Sequence, residues 1–195
     1  KFYDCAEELI AVDLPGAYSM SPFTAEESIT SDYVKNANLD VIINVVDATN
    51  LSRSLFFTTQ LLELDVPVVV ALNKTDINDK KDTRINVAEL SKKLGCPVIK
   101  TVSTAEQGLA EVVKTAVEKV GKGQKAPYSQ GEVDMENKDE VMEADKKRFA
   151  FVNKIVASVE KRKVLTREKN SQDKLDEILT NRFLGLPIFA VIMFL

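Results

Sequence analysis

Four short apolar runs, set among stretches of helical periodicity, constrain this chain more than any other feature. Residues 9–12, 41–46, 66–72 and 97–99 are rich in β-branched side chains and bounded by polar or turn residues, and they read as strands. The helices between them carry their own start and stop signals. Thr24 and Glu27 form a capping box that opens a helix to about Ala37, since the hydroxyl and the carboxylate can each satisfy a backbone N–H. Asn50 caps a second helix with Leu51, Leu55 and Leu62 along one face. A third runs from about Asn86 to Leu94 and stops at Gly95, and a fourth from about Leu109 to Val120 stops at Gly121. Near-continuous apolar strands alternating with helices mean a parallel sheet covered on both faces. Ligands bind beyond the carboxyl ends of such strands, so the informative residues should follow each one.

Each predicted strand runs into a polar loop: Asp13-Leu14-Pro15-Gly16, Asp47-Ala48-Thr49-Asn50, Asn73-Lys74-Thr75-Asp76, and Thr101-Val102-Ser103-Thr104-Ala105. A purine-nucleotide site has a use for these groups. The Asp76 carboxylate can accept from N1–H and the exocyclic N2–H of guanine together, a pair adenine does not offer. A wrong base leaves that acceptor unpaired, which gives strong discrimination. The Lys74 stem can lie over the base face, and Asn73 can tie its loop to neighbouring backbone. Asp13 at a strand end can hold a Mg²⁺ water, while Gly16 lets a backbone N–H approach a γ-phosphate. DxxG and NKxD, in this order and at strand ends, resemble the translation-factor-like branch of P-loop GTPases.

Composition removes other chemistries. With no histidine in 195 residues, a Ser-His-Asp or Cys-His triad, an HExxH zinc site and an imidazole base are all excluded. Cys5 and Cys96 lie far apart without metal-ligand spacing and read as small apolar residues in a reducing compartment. Charge is distributed unevenly. Residues 1–145 hold 15 Lys/Arg and 25 Asp/Glu, residues 146–182 hold 11 and 5, and residues 183–195 hold none. A basic stretch directly before an apolar one is the cytoplasmic flank expected of a first spanning helix, and the basic face suits anionic lipid headgroups. No amino-terminal signal peptide is recognisable.

The segments DLPGAYSMSPFTAEESITSDYV and DVIINVVDATNLSRSLFFTTQLLELDVPVVVALNKTD are similar to the G domain of the bacterial ferrous iron transport protein B (FeoB) family. The resemblance covers essentially the whole chain. It implies an α/β fold: a P-loop GTPase-like, mostly parallel sheet with flanking helices, followed by a small all-α spacer domain and the start of a membrane helix. The expected divisions are an incomplete G domain over 1–121, a linker over 122–137, a spacer over 138–182 and the first transmembrane helix from 183 to 195. The linker is rich in Gly, Lys, Gln and Glu, as in a mobile segment. Phe149, Val152, Val156 and Val159, widened by Phe151 and Ile155, form an apolar stripe on a helix from about Val141 to Lys163. Leu175, Ile178, Leu179 and Phe183 repeat it on a second helix begun near Asn170 or Ser171.

The same resemblance implies GTP or GDP, with Mg²⁺, as cofactors, held by Asp13, Gly16, Asn73, Lys74, Asp76, Ser103, Thr104 and Ala105. Guanine nucleotide, the membrane and the protein's own transmembrane domain are the implied partners; no nucleic acid is expected, and homo-oligomerisation is left open. Two departures stand out. No GxxxxGK[ST] occurs, so the chain is expected to be an internal stretch of a longer protein and inactive by itself. Ala17 stands where Ras-like enzymes place a water-orienting Gln, so the intact protein should be a slow GTPase with no catalytic residue assignable here. Iron is not expected to bind to this part. The competing readings are a soluble regulatory or ribosome-associated GTPase and a nucleotide-free interaction fragment.

Overall fold

A computed structural model describes residues 9–17, 19, 25–80, 82–131 and 137–162. The elements follow in the order α1 (Ala25–Asn36), β1 (Ile42–Asp47), α2 (Leu51–Leu61), β2 (Val68–Asn73), α3 (Thr75–Lys80), β3 (Thr83–Ile85), α4 (Val87–Leu94), β4 (Val98–Lys100), α5 (Leu109–Lys119), α6 (Lys138–Val159) and β5 (Glu160–Arg162). β1, β2 and β4 make a parallel sheet with β2 in the centre. The expected α/β architecture is therefore present, and the alternation of its central strand explains how it is covered. Val68, Val70 and Leu72 point into a core shared with Leu55, Leu90, Leu94, Val152, Ile155 and Val159 of α2, α4 and α6. Val69 and Ala71 face the other way and meet Ile99 with Val112 and Ala116 of α5. All of these β2 residues are buried, as a strand covered on both faces requires.

The strand expected over residues 9–12 is not formed. Leu9, Ile10 and Val12 are 46%, 87% and 53% exposed and lie in irregular chain. β-branched composition favours an extended backbone, but a strand also needs a ladder partner for its N–H and C=O groups. Among the described residues β1 pairs only with β2, and on the face it shares with Val69 and Ala71 its Ile43 and Val45 are exposed at 44% and 65%.

Two further differences concern the carboxyl-terminal part. β3 and β5 pair antiparallel, with Ile85 opposite Glu160, and the Asn86 N–H donates to the Val159 carbonyl at 2.8 Å. This pairing ends α6 at Val159, short of the expected Lys163. At its other end Asn137 caps α6 by accepting from the Asp139 and Glu140 N–H groups, which starts the helix at Lys138. Residues 122–131, expected to be mobile, lie against the body: the Gln124 side chain accepts from Val68 N–H at 2.7 Å, the Gln130 N–H donates to Glu63, and Ala126 packs on the main core. The second spacer helix and the apolar run from Phe183 lie outside the described residues. Among the described residues no helix is long and apolar enough to cross a membrane.

Candidate functional site

The carboxyl ends of the parallel strands carry a connected set of polar side chains. The register places Asp47 directly opposite Asn73, each the last residue of its strand. Asn73 then bridges to the loop after β4: its Nδ2 donates to Ser103 Oγ at 3.0 Å and its Oδ1 accepts from Ser103 N–H at 3.1 Å. Thr101 Oγ1 adds a long bond to the same Oδ1 at 3.5 Å. This amide holds two loops in one geometry.

Lys74 follows with φ at 63°, in the left-handed region. For a residue with a Cβ this costs on the order of 1–2 kcal/mol, and such strain persists only where the surroundings enforce it. The conformation turns the chain from β2 into α3 and directs the ammonium to Asp47 Oδ2 at 2.6 Å. Asp47 is itself fixed, because Oδ1 accepts from Thr49 N–H at 2.8 Å and Thr49 Oγ1 at 2.7 Å to cap the short turn Ala48–Asn50. Burial raises the Asp47 pKa, but the bonds from Lys74 and Thr49 and the Lys74 charge outweigh it, leaving the carboxyl below its ordinary 3.8. The stability it contributes is complete above pH 3.8 and fades as pH falls through the depressed value.

Asp76 lies in the first turn of α3, not in an open loop. Its Oδ2 is 3.9 Å from Lys80 Nζ, with the two side chains 40% and 79% exposed. A pair that long and that exposed is worth little, so the carboxylate is available to a better donor. α3 is anchored from beneath by the buried Asn78, whose Nδ2 donates to the Ala48 carbonyl at 2.7 Å. Ser103, Thr104 and Ala105 form a short exposed 3-10 turn, closed by bonds between Val102 and Gln107. Gly108, at φ 77°, lets the chain re-enter α5 where any Cβ would run into the Lys100 carbonyl.

The structure thus joins Asn73 to Ser103 and turns Lys74 to Asp47, with Asp76 following in the first turn of α3. Asp13 and Gly16 are exposed on a separate irregular segment, held where Thr30 Oγ1 of α1 donates to the Pro15 carbonyl at 2.8 Å. Asp47, Thr49 and Asn78 had no assigned role on sequence grounds. Asp47 could have been suspected from its position at a strand end; Asn78 carries no signal beyond an ordinary polar helix residue. No group of three or more metal-ligating side chains occurs among the described residues. One carboxylate such as Asp13 nevertheless fits Mg²⁺, which commonly takes one or two carboxylates with its remaining ligands from water and phosphate.

Residues 1–116 match the family model described as ferrous iron transport protein B. The Fe(2+) transporter FeoB of Salmonella typhimurium is 43% identical over 123 residues, covering 61% of this chain and 16% of that protein. The Fe(2+) transporter FeoB of Escherichia coli K12 is 31% identical over 252 residues, covering 100% of this chain and 32% of its own length. The chain therefore spans at most 32% of these two relatives. Among solved structures, the cytosolic domain of L. pneumophila FeoB superposes with a TM-score of 0.67 at 27% identity, covering 77% of each chain. A mutant S. thermophilus NFeoB bound to GDP gives 0.60 at 27% identity, covering 76% of this chain and 80% of that one.

Proposed function

Because the chain belongs to the ferrous iron transport protein B family, we propose that it forms the base-reading and spacer portion of the cytoplasmic GTPase part of a ferrous iron membrane transporter. One observation carries the reading: Asn73 clamps the Ser103 loop while Asp76 presents a weakly engaged carboxylate beside it. That pairing suits the N1–H and N2–H edge of guanine, with Lys74 over the base face and the 103–105 turn beside the purine. Asp13 would hold Mg²⁺ through water, and the ion when bound would neutralise charge on the phosphates. Gly16 would offer its N–H to the γ-phosphate. The Thr30 bond to Pro15 supports transmission of nucleotide state from this loop into α1, since ordering one would order the other.

Hydrolysis would be slow, because Ala17 offers no side chain to orient water. This stretch alone would bind GTP weakly and not turn it over, as it carries no phosphate-cradling Gly-Lys-Ser/Thr loop. In the intact protein the spacer would bias the membrane part, with residues 1–182 on the cytoplasmic side, as the basic stretch before Phe183 supports. The family match favours this over a soluble ribosome-associated GTPase or a nucleotide-free interaction fragment.

The test is a titration of full-length protein with a fluorescent guanine nucleotide. Asp76→Asn replaces two acceptors by one acceptor and one donor, and a lost charge-assisted hydrogen bond costs about 1.5–3 kcal/mol. Affinity should fall by about one to two orders of magnitude. Unchanged affinity removes Asp76 from the base site.

A further inference from the structure

We propose that Asp47 is the positioning residue of the guanine site: its carboxylate holds the Lys74 ammonium at the strand end, so that the lysine stem is laid over the base. The inference rests on the base-site reading above and adds to it a residue outside both nucleotide motifs.

The geometry argues for this from three sides. Register puts Asp47 level with Asn73, so the left-handed turn at Lys74 is what carries the lysine back across the strand ends to its partner. The Lys74 Nζ to Asp47 Oδ2 distance is 2.6 Å, that of a charge-assisted hydrogen bond. Asp47 is a fixed anchor, because its other oxygen is taken by the Thr49 N–H and hydroxyl. The base of this anchor is also tied to the site, since Asn78 of α3 bonds the Ala48 carbonyl two residues after Asp76. A lysine stem has four rotatable bonds, and ordering them at the moment of binding costs affinity. A partner that orders them beforehand removes that cost. The lysine head, held at β1, then contributes through the face of its stem, which contacts any purine alike. Selectivity for guanine stays with Asp76.

That division of labour fixes the experiment. Full-length protein is titrated with GTP and with ITP, which lacks the exocyclic amine, for wild type, Asp47→Asn, Lys74→Met, the double variant and Asp76→Asn. Asparagine at 47 keeps an acceptor for Thr49, so the turn remains capped. With the ion pair half-exposed, at 50% and 32%, the effect is modest. Asp47→Asn should weaken GTP and ITP by about the same factor, roughly two- to fivefold, leaving their ratio unchanged. In the Lys74→Met background the same substitution should do nothing further, because the stem it positioned has lost its head. Asp76→Asn should instead collapse the GTP to ITP ratio. Unaltered affinity in Asp47→Asn, an additive loss in the double variant, or a changed base ratio in Asp47→Asn overturns the proposal while Asp76→Asn still reports a working base site. A ratio unmoved by Asp76→Asn overturns both, and does so at a different residue.

Discussion

Removing either partner of the Arg148–Glu63 ion pair should loosen α6, and the two removals should not be equivalent. Arg148 is 3% exposed and Glu63 22%. The guanidinium donates to Glu63 Oε2 at 2.6 Å, Gln130 Oε1 at 2.9 Å and Thr59 Oγ1 at 3.3 Å, and lies 4.9 Å from the centre of the Tyr128 ring. Glu63→Gln leaves this cation buried among neutral partners. Asp145 is the other carboxylate that feels it, and burial raises the Asp145 pKa despite the Arg148 charge, so it is a poor substitute. Breaking a buried pair in this way costs about 3–5 kcal/mol. Arg148→Met leaves Glu63, which is nearer water and still accepts from the Gln130 N–H. That loss should be about 1–3 kcal/mol. At about 1.4 kcal/mol per tenfold, amides in the middle of α6 should exchange roughly two to three and a half orders of magnitude faster in Glu63→Gln and one to two in Arg148→Met. Combining the two should recover part of the Glu63→Gln loss, since the orphaned cation is gone. Hydrogen exchange with mass spectrometry on the full-length protein reads all three. If Arg148→Met is the more damaging, or neither variant reaches tenfold, α6 is fastened by its apolar stripe and the ion pair is incidental.

Gly108→Ala should cost about 1–3 kcal/mol, from the left-handed backbone and from the collision with the Lys100 carbonyl. Relief by moving the 101–107 loop would displace the Ser103 contact to Asn73, so guanine nucleotide affinity should fall in the same titration; affinity at the wild-type level would separate the turn from the site. Cys96, buried and with its thiol pushed up to about 12 chiefly by that burial, should resist iodoacetamide in a Cys5→Ser variant at neutral pH and show little gain at pH 9. Because this pKa is raised from 9.0, its stabilising contribution is complete below pH 9.0 and is lost as pH climbs toward 12. Rapid labelling of the native protein at neutral pH would contradict the burial.

What the sequence disclosed and what it hid divide along a physical line. The strands of the parallel sheet and the extents of α2, α4 and α5 were legible because their signals are local, β-branched runs, apolar periodicity and a Gly stop, although Asn50, expected to cap α2, stands at its N-cap position without a side-chain capping bond. Residues 9–12 carry the same local signal and form no strand, since strand-like composition reports what a segment can bury and not whether a partner is present to pair with it. β3 and β5 failed in the opposite sense. Thr83-Arg84-Ile85 and Glu160-Lys161-Arg162 are short and polar, and only the antiparallel encounter makes them strands. The site follows the same rule. Asn73 and Asp76 could be singled out as candidates because both fall in one recognisable motif, although the partner of Asn73, Ser103, lies 30 residues away. Asp47 is marked by its strand end alone, because its role depends on the lysine that sequence places 27 residues away and the register returns to 2.6 Å. Arg148 is the clearest instance. On a helical wheel it falls among Ala144, Val152, Ile155 and Val159, the face that is buried, where an arginine reads as an error in the stripe. The fold resolves the error by bringing Glu63 from the end of α2, Gln130 from the expected linker and Tyr128 over the guanidinium. A side chain that contradicts its own helix is therefore the best marker, in a chain like this, of where separate segments have been made to depend on one another.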